Sequence, residues 1–148
     1  MKHFRTILIS CFLLAGLALQ GQIINESITV QQTDSLIKAR FLSADFVVLD
    51  IRTEMEFTAG HLENAVQVNF LKRRGKREMW KLDRNKAYLI YCRSGKRSKS
   101  ALDMMKDKKF KEVYNMLGGI KDWNKEDYPV VKEDVIDGEF KQGKKIKK

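Results

Sequence analysis

Apolar residues recur along the chain in two rhythms, one of strands and one of helices, which alternate. Ser27 to Gln31 reads as a short strand. Thr33 to Phe41 reads as a helix that Thr33 or Asp34 can cap, with Leu36, Ile37 and Phe41 turned inward. Phe46 to Ile51 is a near-continuous apolar run rich in β-branched residues, the pattern of a parallel strand buried on both faces. A helical turn over Glu54 to Ala59 ends at Gly60, a strand covers Ala65 to Val68, and a basic helix runs from Leu71 to Leu82. Ala87 to Tyr91 is the third strong strand. It leads directly into the segment from Cys92 to Ser98, after which Ala101, Leu102, Met105 and Phe110 give a helix an apolar stripe. Glu112 to Met116 is a strand and Gly118-Gly119 a turn. Ile120 and Trp123 mark the inner face of a last helix, stopped before Pro129. Strands alternating with helices at this spacing predict an α/β fold, a single domain built on a parallel sheet with helices on both faces.

The two ends depart from this rhythm. Lys2 and Arg5 precede an apolar run of 13 residues from Ile7 to Leu19, followed by Gln20, Gly21 and Gln22. That order reads as a secretory signal peptide over residues 1–21, and the run is short of the about 20 residues that a spanning helix needs. The expectation is an exported protein, periplasmic or secreted, with no stable membrane span after cleavage. Apolar residues thin out beyond Lys132, and residues 132–148 read as a basic, solvated tail. The folded domain is expected over residues 28–131.

Composition adds limits. The chain has 148 residues, 43% hydrophobic and 32% charged, enough for one core that buries about two thirds of its unfolded surface without a disulfide lattice. Lys and Arg number 29 against 19 Asp and Glu, a net charge of +10 that favours anionic partners. Of the two cysteines, Cys11 lies inside the signal segment, so the exported chain keeps only Cys92 and forms no internal disulfide.

Cys92 stands where open α/β sheets bind ligands, just past the carboxyl end of a strand. The next residues supply Gly95, which permits unusual backbone conformations, three cations (Arg93, Lys96 and Arg97), and a helix start near Ser98. Amides curled into a nest and a helix N-terminus would favour a thiolate at Cys92 and a bound anion above it. The charged residues that follow argue against burial of this cysteine as a structural one.

Here a set of motifs carries a family resemblance. Leu49 to Thr53 (L-D-I-R-T), Glu56-Phe57, Gly60-His61-Leu62 with Asn64-Ala65, Tyr91 to Ser98 (Y-C-R-S-G-K-R-S), and Leu117 to Ile120 with Trp123 resemble the rhodanese-like sulfurtransferase family, most of all its small secreted or periplasmic single-domain members. One departure is that Glu63 and Asn64 stand where the family often has Pro and Gly. The resemblance implies ping-pong transfer, in which the Cys92 thiolate takes the outer sulfur of thiosulfate, releases sulfite and passes the sulfur to cyanide or another thiophilic acceptor. It also implies that the amides of Arg93, Ser94, Gly95, Lys96, Arg97 and Ser98 cradle the persulfide, with the three basic side chains binding the donor.

Other features have plainer readings. Sulfur transfer by a thiolate needs no proton taken from an alcohol, so His61 is expected to hold a turn. Asp50 and Arg52 are expected to support the site as an ion pair or hydrogen-bond network. The basic run Lys72, Arg73, Arg74, Lys76 and Arg77 beside Trp80 is expected to be a solvated face rather than a nucleic-acid site, and no Cys or His cluster has metal-ligand spacing. No cofactor is implied. Cysteine-dependent phosphatases place Arg six residues after their cysteine, and here that position holds Ser98. The rival from another class is a binding module without turnover, or a persulfide carrier that hands sulfur to a protein partner.

Overall fold

The computed structural model describes residues 23–132, so the expected signal peptide and nearly all of the expected tail lie outside the described residues. Five strands, β1 (Ile24–Ile28), β2 (Phe46–Asp50), β3 (Val66–Gln67), β4 (Ala87–Tyr91) and β5 (Glu112–Met116), form one sheet in the order β1-β5-β4-β2-β3. Every pairing is parallel, as the strand–helix alternation predicts. The helices are α1 (Val30–Arg40), α2 (Glu54–Thr58), α3 (Arg73–Trp80), α4 (Lys96–Asp107) and α5 (Gly119–Lys125).

Side chains of a strand alternate between faces, and the core divides accordingly. Leu49, Ile51, Tyr88, Ile90, Cys92 and Val113 pack on one face with Met79 of α3 and Ala101, Leu102 and Met105 of α4. Val48, Leu89, Tyr91, Tyr114 and Met116 pack on the other with Val30 of α1 and Ile120 and Trp123 of α5. β4 is buried at all five positions, which explains its unbroken apolar sequence.

The N-terminal elements are shifted from the expected positions. β1 ends at Ile28, because Thr29 and Gln32 close a capping box that starts α1 three residues ahead of Thr33. Val30 and Thr33 become the buried positions of α1, Leu36 and Ile37 pack half-buried, and Phe41, expected inward, is exposed. α3 is also shorter than its basic sequence suggested, spanning Arg73–Trp80. Its backbone is pinned early, since a Cβ on Gly75 would lie 2.6 Å from the carbonyl carbon of Asn69.

Candidate active site

The carboxyl ends of β2, β4 and β5 are adjacent in the sheet, and three loops meet there. The middle one follows Cys92. Gly95 takes φ 82° and caps α4, a left-handed conformation that glycine adopts without steric cost. The amides of Ser94, Arg97 and Ser98 hydrogen-bond the Cys92 sulfur, and the Ser98 hydroxyl lies 3.5 Å from it. Burial pushes the thiol up, yet the Ser98 hydroxyl and these amides outweigh it and hold the thiol below its ordinary value. The arrangement stabilises a thiolate.

Burial of Cys92 is a correction to the sequence reading. The residue is only 1% exposed, whereas Arg93, Ser94 and Lys96 are exposed. Charged side chains of a tight loop point outward while its amides point in, so charge in the sequence says nothing about burial of the residue they enclose.

The loop after β5 locks the Cys92 segment from behind. Ile120 donates its amide to the Cys92 carbonyl at 2.9 Å, and Lys121 donates to the Arg93 carbonyl at 3.0 Å. Gly119 makes this approach possible. It sits at φ 59°, and a Cβ there would strike the Cys92 carbonyl and lie 2.7 Å from the Arg93 carbonyl carbon. Gly119→Ala is therefore expected to lower stability by at least the roughly 1–2 kcal/mol of a left-handed non-glycine residue and to raise the Cys92 thiol toward the value of a free cysteine. Thermal unfolding and a thiol titration on the same sample check both.

The loop after β2 is held by a buried ion pair. Nε of Arg52 donates to Asp50 at 2.9 Å, and Nη2 donates to Asp50 Oδ2 at 2.5 Å and to the Gly60 carbonyl at 2.7 Å. The guanidinium also stands 5.6 Å from the Tyr91 ring centroid. Burial and the Asp50 carboxylate push the Tyr91 hydroxyl well above its ordinary value, so it stays protonated, and it accepts the Leu62 amide at 3.1 Å. Arg52 also lines a cavity of about 400 Å³ with Glu56, Ala59, Gly60 and Ile120.

Next to this pair stands one that sequence reasoning missed. Arg97 donates Nη2 to Glu56 Oε1 at 2.7 Å and Nη1 to Oε2 at 3.1 Å. The signal available was the Thr53-x-x-Glu56 capping box, which both residues form and which places a carboxylate in the first turn of α2. Its partner lies 41 residues away and has no local signature.

His61 stacks on Phe57 with ring centroids 3.7 Å apart, donates Nδ1–H toward the Phe57 carbonyl at 3.0 Å, and pairs its backbone with Val131. Those contacts hold a turn. Asn64 adopts φ 57°, a left-handed conformation that asparagine tolerates better than most residues. Its presence where the family often has other turn residues thus preserves a turn. The exposed cations of α3 lie elsewhere: Arg74 pairs with Glu78 at 2.8 Å, and Lys76 lies 5.0 Å from the Phe70 ring centroid. Among the described residues no cluster of three or more His, Cys, Asp or Glu side chains could hold a metal, and no helix is long and apolar enough to cross a membrane.

The rhodanese-like domain model matches residues 31–126, which include all three loops. The chain belongs to the rhodanese-like domain family. Among its relatives, thiosulfate sulfurtransferase GlpE of Coxiella burnetii is 33% identical over 88 residues, covering 60% of this chain and 77% of that protein. The tRNA uridine(34) hydroxylase of Citrobacter koseri is also 33% identical over 88 residues, but these make up only 25% of its length. Among solved structures, the crystal structure of a rhodanese-related protein from Thermoplasma volcanium superposes with a TM-score of 0.60 at 31% identity, covering 73% of this chain and 99% of that one. Membership places the chain among sulfurtransferase-type proteins and agrees with the five-stranded parallel sheet.

Proposed function

We propose that the protein is a sulfurtransferase that carries sulfane sulfur as a persulfide on Cys92. The observation that carries this reading is the convergence of three amides and a hydroxyl on one buried sulfur, at the base of a loop whose rim bears exposed Arg93 and Lys96. An anion nest of this kind stabilises the attacking thiolate and then the persulfide anion in the same place. With thiosulfate as donor, the Cys92 thiolate attacks the outer sulfur, the sulfur–sulfur bond of the donor breaks, and sulfite leaves with its electron pair. Cyanide or another thiophilic acceptor then attacks the outer sulfur of the persulfide, and the electron pair of the breaking bond returns to Cys92 as thiolate. Arg93 and Lys96 supply the charge that meets the anionic donor, and the GlpE relative supports thiosulfate as that donor.

The intact mass of the full chain, expressed so that export can act, is the test. Thiosulfate is expected to add one sulfur atom and cyanide to remove it, and a mature chain lacking residues 1–21 is expected from the signal reading. A chain that gains no sulfur while its thiol remains free to titrate would overturn the donor assignment and favour the carrier reading, in which a protein partner loads and unloads Cys92.

A further inference from the structure

Two arginines stand at the site paired with carboxylates, but in different circumstances. Arg52 and Asp50 are 6% and 0% exposed at their side chains and are closed off beneath the loops. Arg97 and Glu56 are 24% and 29% exposed and flank the Cys92 loop itself.

Arg97 occupies an electrostatically awkward place. It lies in the first turn of α4, where the helix dipole disfavours a positive charge. Left alone, its side chain would gain by swinging into solvent. Glu56 is fixed before any partner arrives, because its Oε2 accepts the Thr53 amide at 3.1 Å and the Thr53 hydroxyl at 3.0 Å. Its two oxygens then take both terminal nitrogens of Arg97 in a fork that defines the plane of the guanidinium. Held this way, the guanidinium stays in the first turn of α4, whose Ser98 hydroxyl lies 3.5 Å from the Cys92 sulfur, and its charge is favoured there by Glu56 and then by Cys92. Arg93 and Lys96, by contrast, are exposed and hold no ion pair among the described residues. The three cations of the loop thus divide between two tasks.

We propose that Glu56 is a positioning residue, which holds Arg97 beside the Cys92 sulfur and so reserves this one loop cation for the thiolate while Arg93 and Lys96 receive the donor. The proposal rests on the sulfurtransferase reading for its meaning in turnover, but its geometry concerns only the thiol. Glu56 is held down to about 2, chiefly by Arg97, so the pair is charged throughout the range in which Cys92 titrates.

The experiment titrates Cys92 through the ultraviolet absorbance of its thiolate in the full chain carrying Cys11→Ser, which leaves one thiol, and on that background in Glu56→Gln, Thr53→Ala, Arg97→Met and the Glu56→Gln/Arg97→Met double variant. Glu56→Gln is expected to move the titration to higher pH by about one pH unit, since an unanchored guanidinium no longer supports the thiolate. It is also expected to slow sulfur loading from thiosulfate about tenfold, mostly in kcat rather than KM, because Arg93 and Lys96 still bind the donor. The double variant is expected to titrate with Arg97→Met alone, as two residues acting through one contact do not add. Thr53→Ala removes the helix cap but leaves the Thr53 amide and the Arg97 fork, so it lowers the unfolding temperature while moving the titration less than Glu56→Gln does. Three results would each overturn the proposal: a Glu56→Gln titration matching the parent, additive effects in the double variant, or a shift in Thr53→Ala as large as that of Glu56→Gln. A parent chain that takes no sulfur from thiosulfate would instead overturn the reading of function, and the thiol titrations would still decide the role of Glu56.

Discussion

Replacing Cys92 by Ser is expected to end sulfur transfer altogether while leaving the fold in place. The substitution exchanges one small atom for another at a position 1% exposed, within a core face built by Ile90, Ala101 and Leu102. The loop amides keep an acceptor to bind, so the change in stability should stay within about 1 kcal/mol. The chemistry has no such substitute. A hydroxyl remains protonated at neutral pH, and the nest that pulls a thiol below its ordinary value cannot make an alkoxide of it. Thiosulfate should add no sulfur to the variant and thiocyanate production should fall to background, as read by mass and by a steady-state assay. Transfer persisting in Cys92→Ser would place the nucleophile elsewhere.

The largest loss of stability is expected at Asp50. Asp50→Asn leaves the Arg52 guanidinium charged, 5% exposed and without its counter-charge, and removing one member of a buried pair costs about 3–5 kcal/mol. The damage should reach the site, because Arg52 also holds the Gly60 carbonyl, and Gln67 donates to the Arg52 carbonyl at 2.7 Å. Replacing both members, Asp50→Leu with Arg52→Met, should cost less than Asp50→Asn alone, since no charge is then left stranded. Denaturant midpoints at matched slopes measure the difference. A loss within about 1 kcal/mol for Asp50→Asn would mean that Arg52 finds water or another partner in the cavity it lines.

How far the sequence speaks depends on the range of the interaction. β4 and its cysteine were plain, because an unbroken apolar run followed by glycine and cations is a local pattern, and the family motifs fixed the order of the loops. The start of α1 is also local, but it is set by the Thr29–Gln32 cap, three residues ahead of the Thr33 that the apolar spacing predicts. The earlier start turns the helix so that Phe41, expected inward, stands 53% exposed. Asp50 and Arg52, two residues apart, were legible as a pair. Arg97 and Glu56 were not, because only the folded sheet brings the ends of β2 and β4 side by side. The burial of Cys92 is hidden for a related reason: the charged side chains next to it in sequence turn outward, while the core residues that cover it, Ala101 and Leu102 among them, come from α4.

The sheet order also fixes the sequence of events by which the site comes into being. Among the described residues β1 pairs with β5 and with no other strand, so residues 24–28 wait for residues 112–116 before they find strand partners. Closing a loop of that length carries a large entropic cost, and such pairings form late in folding. β4 and β5 are nearer in sequence than β2 and β4, and both of these pairings can form before β1 joins, carrying Asp50, Arg52, Cys92 and the loop after β5 into proximity. The Gly118–Lys121 segment, which bolts the Cys92 carbonyl in place, follows β5 directly. The Cys92 loop and the segment that bolts it from behind would thus be assembled together, and β1 closes the edge of a sheet whose site is already in place.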